Sequence, residues 1–324
     1  MIEDKSLICA YLLDGVGGGK PLNWQAIHQW TPEQGLLWVH LNYASKKTIQ
    51  WIRKNNRLDL ATQQAMLMEE VRPRTLIKPN GLLIFLRGVN LNPGQDPEDM
   101  VSIRIWIDDH CIITTRRRRL LSIADIRSAI DLGDGPKSSS EFLKMLNDYL
   151  LSRIADLVES IDMQVDELEE AVITDESRLL RPKIADIRRQ TIMIRRYLSP
   201  QREALNKLHY EPTPFLSATV KLQLQEDNDR LKRYIEDLES AREKASITQE
   251  ELSSRISEQL DKRMYLLSLV AVIFLPLSFI TGLLGINVGG IPGSEDSWGF
   301  WWVCSLLSIS LVGMLWYLYR HKWI

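Results

Sequence analysis

The residues with chemistry to offer lie near the C-terminal end. Gly285-Ile286-Asn287 closes an uncharged, almost wholly apolar run, 264–284. Asn287 brings a neutral side-chain carbonyl oxygen. A ring of such oxygens, one from each of several chains, would hold a cation through its water shell without trapping it. Glu295 and Asp296, repeated around the same ring, would draw cations to the outer mouth. Along the run, Asp261, Met264, Ser268, Ala271, Leu275, Ser278 and Gly282 recur at three- and four-residue steps. They share one helix face, and its small and polar members suit the wall of a path. Small residues at this spacing serve ordinary helix packing equally well. Pro276 would bend such a helix and free a carbonyl. Of the five histidines, at 28, 40, 110, 209 and 321, none has ligand spacing to another. His209, near the end of a basic stretch, is the best placed of them to hold a metal outside the apolar runs.

These groups need a membrane hairpin to position them. The run 264–284 and a second uncharged run, 299–319, are each about the 20 residues that cross a bilayer as a helix. In hydrocarbon the backbone must satisfy its own hydrogen bonds, so both are expected to be α-helical. Lys262 and Arg263 precede the first span, and Arg320, His321 and Lys322 follow the second. The loop 285–298 holds no Lys or Arg. The positive-inside rule therefore places both termini, with the tail 320–324, in the cytoplasm, and the loop outside. Trp298, Phe300, Trp301 and Trp302 at one end, and Trp316, Tyr317, Tyr319 and Trp323 at the other, would form aromatic belts. A two-span hairpin encloses no pore, so conduction requires several chains around an axis.

With a net charge of −2 over 324 residues and a quarter of them charged, most of the chain suits water. The near-neutral balance speaks against a nucleic-acid partner. Acidic residues ahead of the apolar run 7–13 are the wrong flank for a secretory signal. Three separated cysteines without a C-x-x-C spacing fit a reducing compartment. No catalytic constellation of an enzyme stands out.

Residues 1–135 read as a cytoplasmic α/β domain. Strands are expected at 7–13, 36–42, 74–78, 82–90, 101–107 and 111–115, and helices at 46–56, 59–68 and 120–131. Asn80-Gly81 and Asp108-Asp109 look like hairpin turns. Gly15–Lys20 imitates a phosphate-binding loop, but Asp14 stands where the first glycine belongs and Pro21 where a Ser or Thr would hold Mg2+. A surface turn is expected instead. The four arginines 116–119 are read as a strand end that pairs with acidic neighbours.

After the linker 133–140 no glycine occurs until Gly282. A helical hairpin is expected over 141–210. Its first arm is acidic, with eleven Asp/Glu against two Lys/Arg in 141–176, and its second is basic, with nine against two in 178–207. Opposite charge predicts that the arms face each other, and Pro200 is expected to kink or split the second. A long helix follows over 215–284. Its apolar stripe is interrupted by Asp227 and passes without a loop signal into the first span, roughly 105 Å at 1.5 Å per residue.

The whole pattern resembles the CorA family of divalent-cation transporters. The shared features are an α/β domain, long cytoplasmic helices, a two-span C-terminal hairpin, a Gly-x-Asn motif, the segment 273–282 and the basic, Trp-containing tail 321–323. Magnesium-transporting members carry Gly-Met-Asn followed by Met-Pro-Glu-Leu. Gly285-Ile286-Asn287 followed by Gly290-Ile291-Pro292-Gly293 is similar instead to the ZntB zinc-transport branch. The resemblance implies a funnel-shaped homopentamer in the bacterial inner membrane, with the long helix lining a central pore. It implies Zn2+ as substrate, with Cd2+, Ni2+ or Co2+ as further ions, and proton-coupled uptake, though efflux has also been proposed for this branch. Tight protein zinc sites take Cys, His, Asp or Glu; a mouth of neutral oxygens suits passage instead. A Mg2+/Co2+ channel of the same fold, and a membrane-anchored sensor or scaffold, are the alternatives.

Overall fold

The computed structural model describes residues 6–174, 179–213, 215–286, 291 and 296–321. The chain divides into two compact units, Met1–Glu250 and Glu251–Ile324. The first begins with a seven-stranded mixed sheet. Its strands are β1 (Leu7–Leu13), β2 (Gly19–Pro21), β3 (Leu36–Asn42), β4 (Arg74–Lys78), β5 (Gly81–Gly88), β6 (Val101–Ile107) and β7 (Cys111–Arg116). Their order across the sheet is β2-β1-β3-β7-β6-β5-β4. Helices α1 (Trp24–Gln29), α2 (Lys46–Arg53), α3 (Leu60–Leu67) and α4 (Leu121–Leu132) complete the domain.

Strands β4 to β7 form an antiparallel meander, with β4–β5 and β6–β7 joined at the two expected turns and residues 89–100 joining β5 to β6. At the second turn Asp108 Oδ1 accepts from the backbone N–H groups of His110 and Cys111. The pairing that closes the sheet is non-local and parallel: β3 lies beside β7, with Leu37 opposite Cys111 and Leu41 opposite Thr115. Alternation along the strands then sorts the side chains. Leu37, Val39, Leu41, Leu83, Phe85, Trp106 and Ile113 bury one face together with Ile52 of α2 and Met66 of α3. On the other face Trp38 packs on Phe142, ring centroids 5.0 Å apart.

The glycine-rich turn after β1 is closed by its own carboxylate. Asp14 Oδ1 accepts from the N–H groups of Val16, Gly17 and Gly18, at 2.9, 3.1 and 2.9 Å. Those are the donors a phosphate would need. Gly17 sits at φ +120°, and a Cβ there would meet the Gly133 carbonyl oxygen at 2.2 Å.

Helices α5 (Ser139–Thr174) and α6 (Leu180–Tyr210) pack on each other, and α7 runs unbroken from Ala218 to Leu284. Pro200 does not split α6; the helix continues through it. The expected charge pairing between α5 and α6 is also corrected: among the described residues no ion pair joins them. The arms meet through apolar side chains such as Ile154, Ile161, Ile187 and Ile194, all buried. Their charges turn to α7 instead. Lys244 bridges Asp162 and Asp166 of α5 at 3.3 and 3.0 Å, and Arg195 of α6 pairs with Glu239. Asp227 enters the same interface, accepting from Asn147 Nδ2 at 2.7 Å.

The second unit contains the C-terminal part of α7 and a final helix, α8 (Gly299–Arg320). Both are long and apolar enough to cross a membrane, and in the single chain they are almost entirely uncovered.

Candidate functional site

Helix α7 carries the lining candidates to its end, where the Gly285 N–H donates to the Thr281 carbonyl at 2.9 Å. A Cβ at Gly285 would press on that same oxygen, also at 2.9 Å. Glycine at this position avoids that close contact at the helix end. Ile286 is half exposed. Asn287 and Glu295 lie outside the described residues. Asp296 is exposed, and its Oδ1 accepts from the Trp298 N–H at 3.0 Å, so it orders the entry to α8.

Asp261, Met264, Ser268, Ala271, Leu275, Ser278 and Gly282 are all exposed in the single chain. Within the apolar run 264–284 the half-covered residues are Leu269, Ile273, Pro276, Leu277 and Ile280. At about 100° per residue these two sets lie on nearly opposite sides of the helix. Val272, exposed and roughly midway around the helix between the two sets, bounds a 340 Å3 gap with Gly313, Met314, Tyr317 and Leu318 of α8. No Cβ at Gly282 would meet an atom within 4 Å, so a neighbouring chain has room there. Pro276 falls on the covered side. Exposed Trp298, Trp301 and Trp302 at one end of α8, and Trp316, Tyr317 and Tyr319 at the other, sit where interfacial aromatics anchor a span.

His209 stands in the last turn of α6 with its ring edge-on to Tyr210 and its Nδ1 buried without a partner. Among the described residues no group of three or more His, Cys, Asp or Glu side chains could hold a metal ion, so His209 belongs to no such group there.

Two arginines escape the sequence reading. Arg87 on β5 and Arg104 on β6 lie within otherwise apolar strands and line a cavity on the α/β domain. A single charge inside a buried apolar strand is the signal that could have found them. Two of the four consecutive arginines behave as expected: Arg117 approaches Glu69 at 3.4 Å, and Arg118 pairs with Asp99. Arg116 instead donates to His40 Nε2 at 2.8 Å.

The family model for the CorA-like Mg2+ transporter protein matches residues 33–320. The divalent cation transporter CmaX of Pseudomonas aeruginosa is 39% identical over 327 residues, covering 99% of this chain and 98% of that protein. The zinc transport protein ZntB of Yersinia enterocolitica is 33% identical over 323 residues, covering 100% of this chain and 98% of that protein. The solved structure of full-length CmaX superposes with a TM-score of 0.86 at 38% identity, covering 99% of each chain. With a hairpin of two apolar helices behind an α/β domain and long helices, and a family match over most of its length, the chain belongs to the CorA-like Mg2+ transporter family.

Proposed function

We propose that this CorA-family divalent-cation transporter carries Zn2+ across the bacterial inner membrane, through a pore on the axis of a homopentamer. The first span lines the path, both termini lie in the cytoplasm, and uptake is coupled to protons. The observation that supports this reading is one face of α7 on which Ser268, Ala271, Leu275 and Ser278 recur at helical spacing and are uncovered in the single chain. Asn287, just past Ile286, would supply the ring of neutral oxygens at the mouth, with Glu295 and Asp296 outside it. Support for Zn2+ comes from Gly285-Ile286-Asn287 and from the ZntB relative, named as a zinc transport protein. Cd2+, Ni2+ or Co2+ would follow the same route.

The Mg2+ in the family model's description favours a second reading, a Mg2+/Co2+ channel on the same fold. Proteoliposomes loaded with zinc- or magnesium-sensitive dye separate the two. The proposal expects Zn2+ influx that rises under an inward proton gradient and falls when the gradient is reversed. Robust Mg2+ flux without Zn2+ flux would refute it. Asn287→Ala, at equal assembly, is expected to cut Zn2+ flux by roughly tenfold or more, as loss of an ion-coordinating ring does. Wild-type flux in that variant removes Asn287 from the mouth.

A further inference from the structure

A cavity of about 750 Å3 opens on the α/β domain where the apolar face of the sheet ends. Six arginines line it, Arg72, Arg87, Arg104, Arg117, Arg118 and Arg196, against only three carboxylates, Glu69, Glu70 and Asp99. Two of the carboxylates are engaged at the exposed rim, Glu69 with Arg117 and Asp99 with Arg118. The floor is different. The register sets Arg87 opposite Ser102, which places Arg87, Ser102 and Arg104 on one face of the sheet. Arg104 is fully buried. Its Nη2 donates to the carbonyls of Met68 and Glu69, and its guanidinium lies 3.9 Å from the centroid of the Tyr43 ring. Its Nε and Nη1 are buried without a hydrogen-bond partner. Arg87 donates to the carbonyls of Met100 and Val71, at 2.7 and 3.0 Å, and stacks on Tyr197 at 4.3 Å. Its Nε, and the hydroxyl of Ser102, are likewise orphaned. Among the described residues neither arginine forms an ion pair with a carboxylate.

A buried charge without a counter-charge is costly, and each orphaned donor adds to the cost. Burial draws the pKa of both guanidinium groups down. One kind of ligand answers both problems. We propose that this cavity binds a compact polyanion of diphosphate size, which meets the arginines that line the cavity and toward which the buried donors of Arg87, Arg104 and Ser102 turn on binding. Four orphaned donor atoms on three side chains call for several acceptor oxygens on one ligand. A monatomic anion supplies one centre and would leave most of the volume empty. The donors sit at the buried floor below a rim of paired charges, a depth suited to a small free ion.

The test uses the full chain in nanodiscs, in chloride-free and metal-free buffer, titrated calorimetrically with sodium pyrophosphate and separately with inorganic phosphate. Pyrophosphate is expected to bind saturably, once per chain and more tightly than phosphate, and to raise the thermal midpoint. Arg104→Met and Arg87→Met are each expected to weaken binding by roughly 10- to 100-fold, the worth of charge-assisted hydrogen bonds. Arg117→Gln, at the rim, is expected to change it by less than about fivefold. Should Arg104→Met fail to fold, Arg87→Met and Ser102→Ala carry the comparison. Absence of saturable binding to the wild-type chain overturns the proposal, as does unchanged affinity in the floor variants. If the wild type binds nothing and Arg104→Met breaks up the assembly, the guanidinium groups serve a neighbouring copy, and the ligand proposal falls.

Discussion

His40 is held neutral inside the sheet by the donors around it. Arg116 Nε–H donates to its Nε2, which leaves the proton on Nδ1, 2.7 Å from Thr114 Oγ1. That oxygen also accepts from the Trp38 indole at 2.9 Å and passes its own hydrogen to the Val39 carbonyl. Burial, with Arg116 and Arg127 nearby, pushes the His40 pKa well below 6.5. Below about pH 6.5 the unfolded chain therefore binds a proton that the folded chain refuses, and stability falls as pH falls toward the folded pKa. At pH 5.5 this one group therefore makes the fold less stable than at pH 7.5. His40→Gln keeps a donor and an acceptor without the titration. Thermal midpoints of the full chain at pH 7.5 and 5.5 are expected to differ by a few degrees more in the wild type than in His40→Gln; equal differences would dismiss the role. In the sequence His40 was one of five histidines without ligand spacing. What makes it special is the parallel pairing of β3 with β7, which no local pattern announces. Arg87 and Arg104 were hidden for a related reason: their strands read correctly as strands, but alternation does not say where an apolar face gives way to a cavity.

Among the helices, apolar periodicity read well and charge pairing did not. The helices over 141–210 and the long one after them follow their stripes because burial at three- and four-residue steps dominates their energetics. The acidic and basic arms were legible as compositions, yet a charge on a helix can turn to any neighbour, and here α7 is the shared partner. Asp227, the break in the α7 stripe, marks the point where that partnership is buried. Its carboxylate accepts from Asn147 and lies 3.4 Å from Lys144, while burial raises its pKa. Asn147 is itself fully buried, and its Oδ1 has no partner. The pair is therefore better at fixing the register of α7 on α5 than at stabilising the fold. Asp227→Leu alone is expected to cost about 2–4 kcal/mol, because it strands the buried Asn147 amide and removes one of the two carboxylates beside Lys144, leaving Asp148. The double variant Asn147→Leu/Asp227→Leu is expected to regain most of that in denaturant titrations. A double variant as unstable as the single would mean that the pair stabilises outright.

At the scale of the whole molecule, the hairpin is an incomplete object. Phe274, Leu275 and Phe279 are between 61% and 74% exposed, and so much uncovered apolar surface requires lipid or other copies. On the proposed reading those copies meet at the side of α7 that carries Ser268, Leu275 and Ser278, and its period can be read by cysteine scanning. The native thiols leave the background clean. Cys9 and Cys111 are buried, and burial pushes both pKa values up, that of Cys9 to about 12. Cys304, on α8, is removed as Cys304→Ala. A charged, water-borne thiosulfonate reagent is then added to proteoliposomes that carry single cysteines along the first span. If Ser268, Leu275 and Ser278 face an aqueous axis, cysteines there are expected to lose more than roughly half of the ion flux on reaction, because the thiolate needs water to form and the adduct fills the path. Cysteines at Leu269, Ile273 and Ile280, on the half-covered side, are expected to lose little. A block that follows the second set, or no periodicity at all, would put the path elsewhere. The two sets differ by about half a helical turn, so the periodicity of block separates a shared axial pore from a hairpin that only anchors its domain.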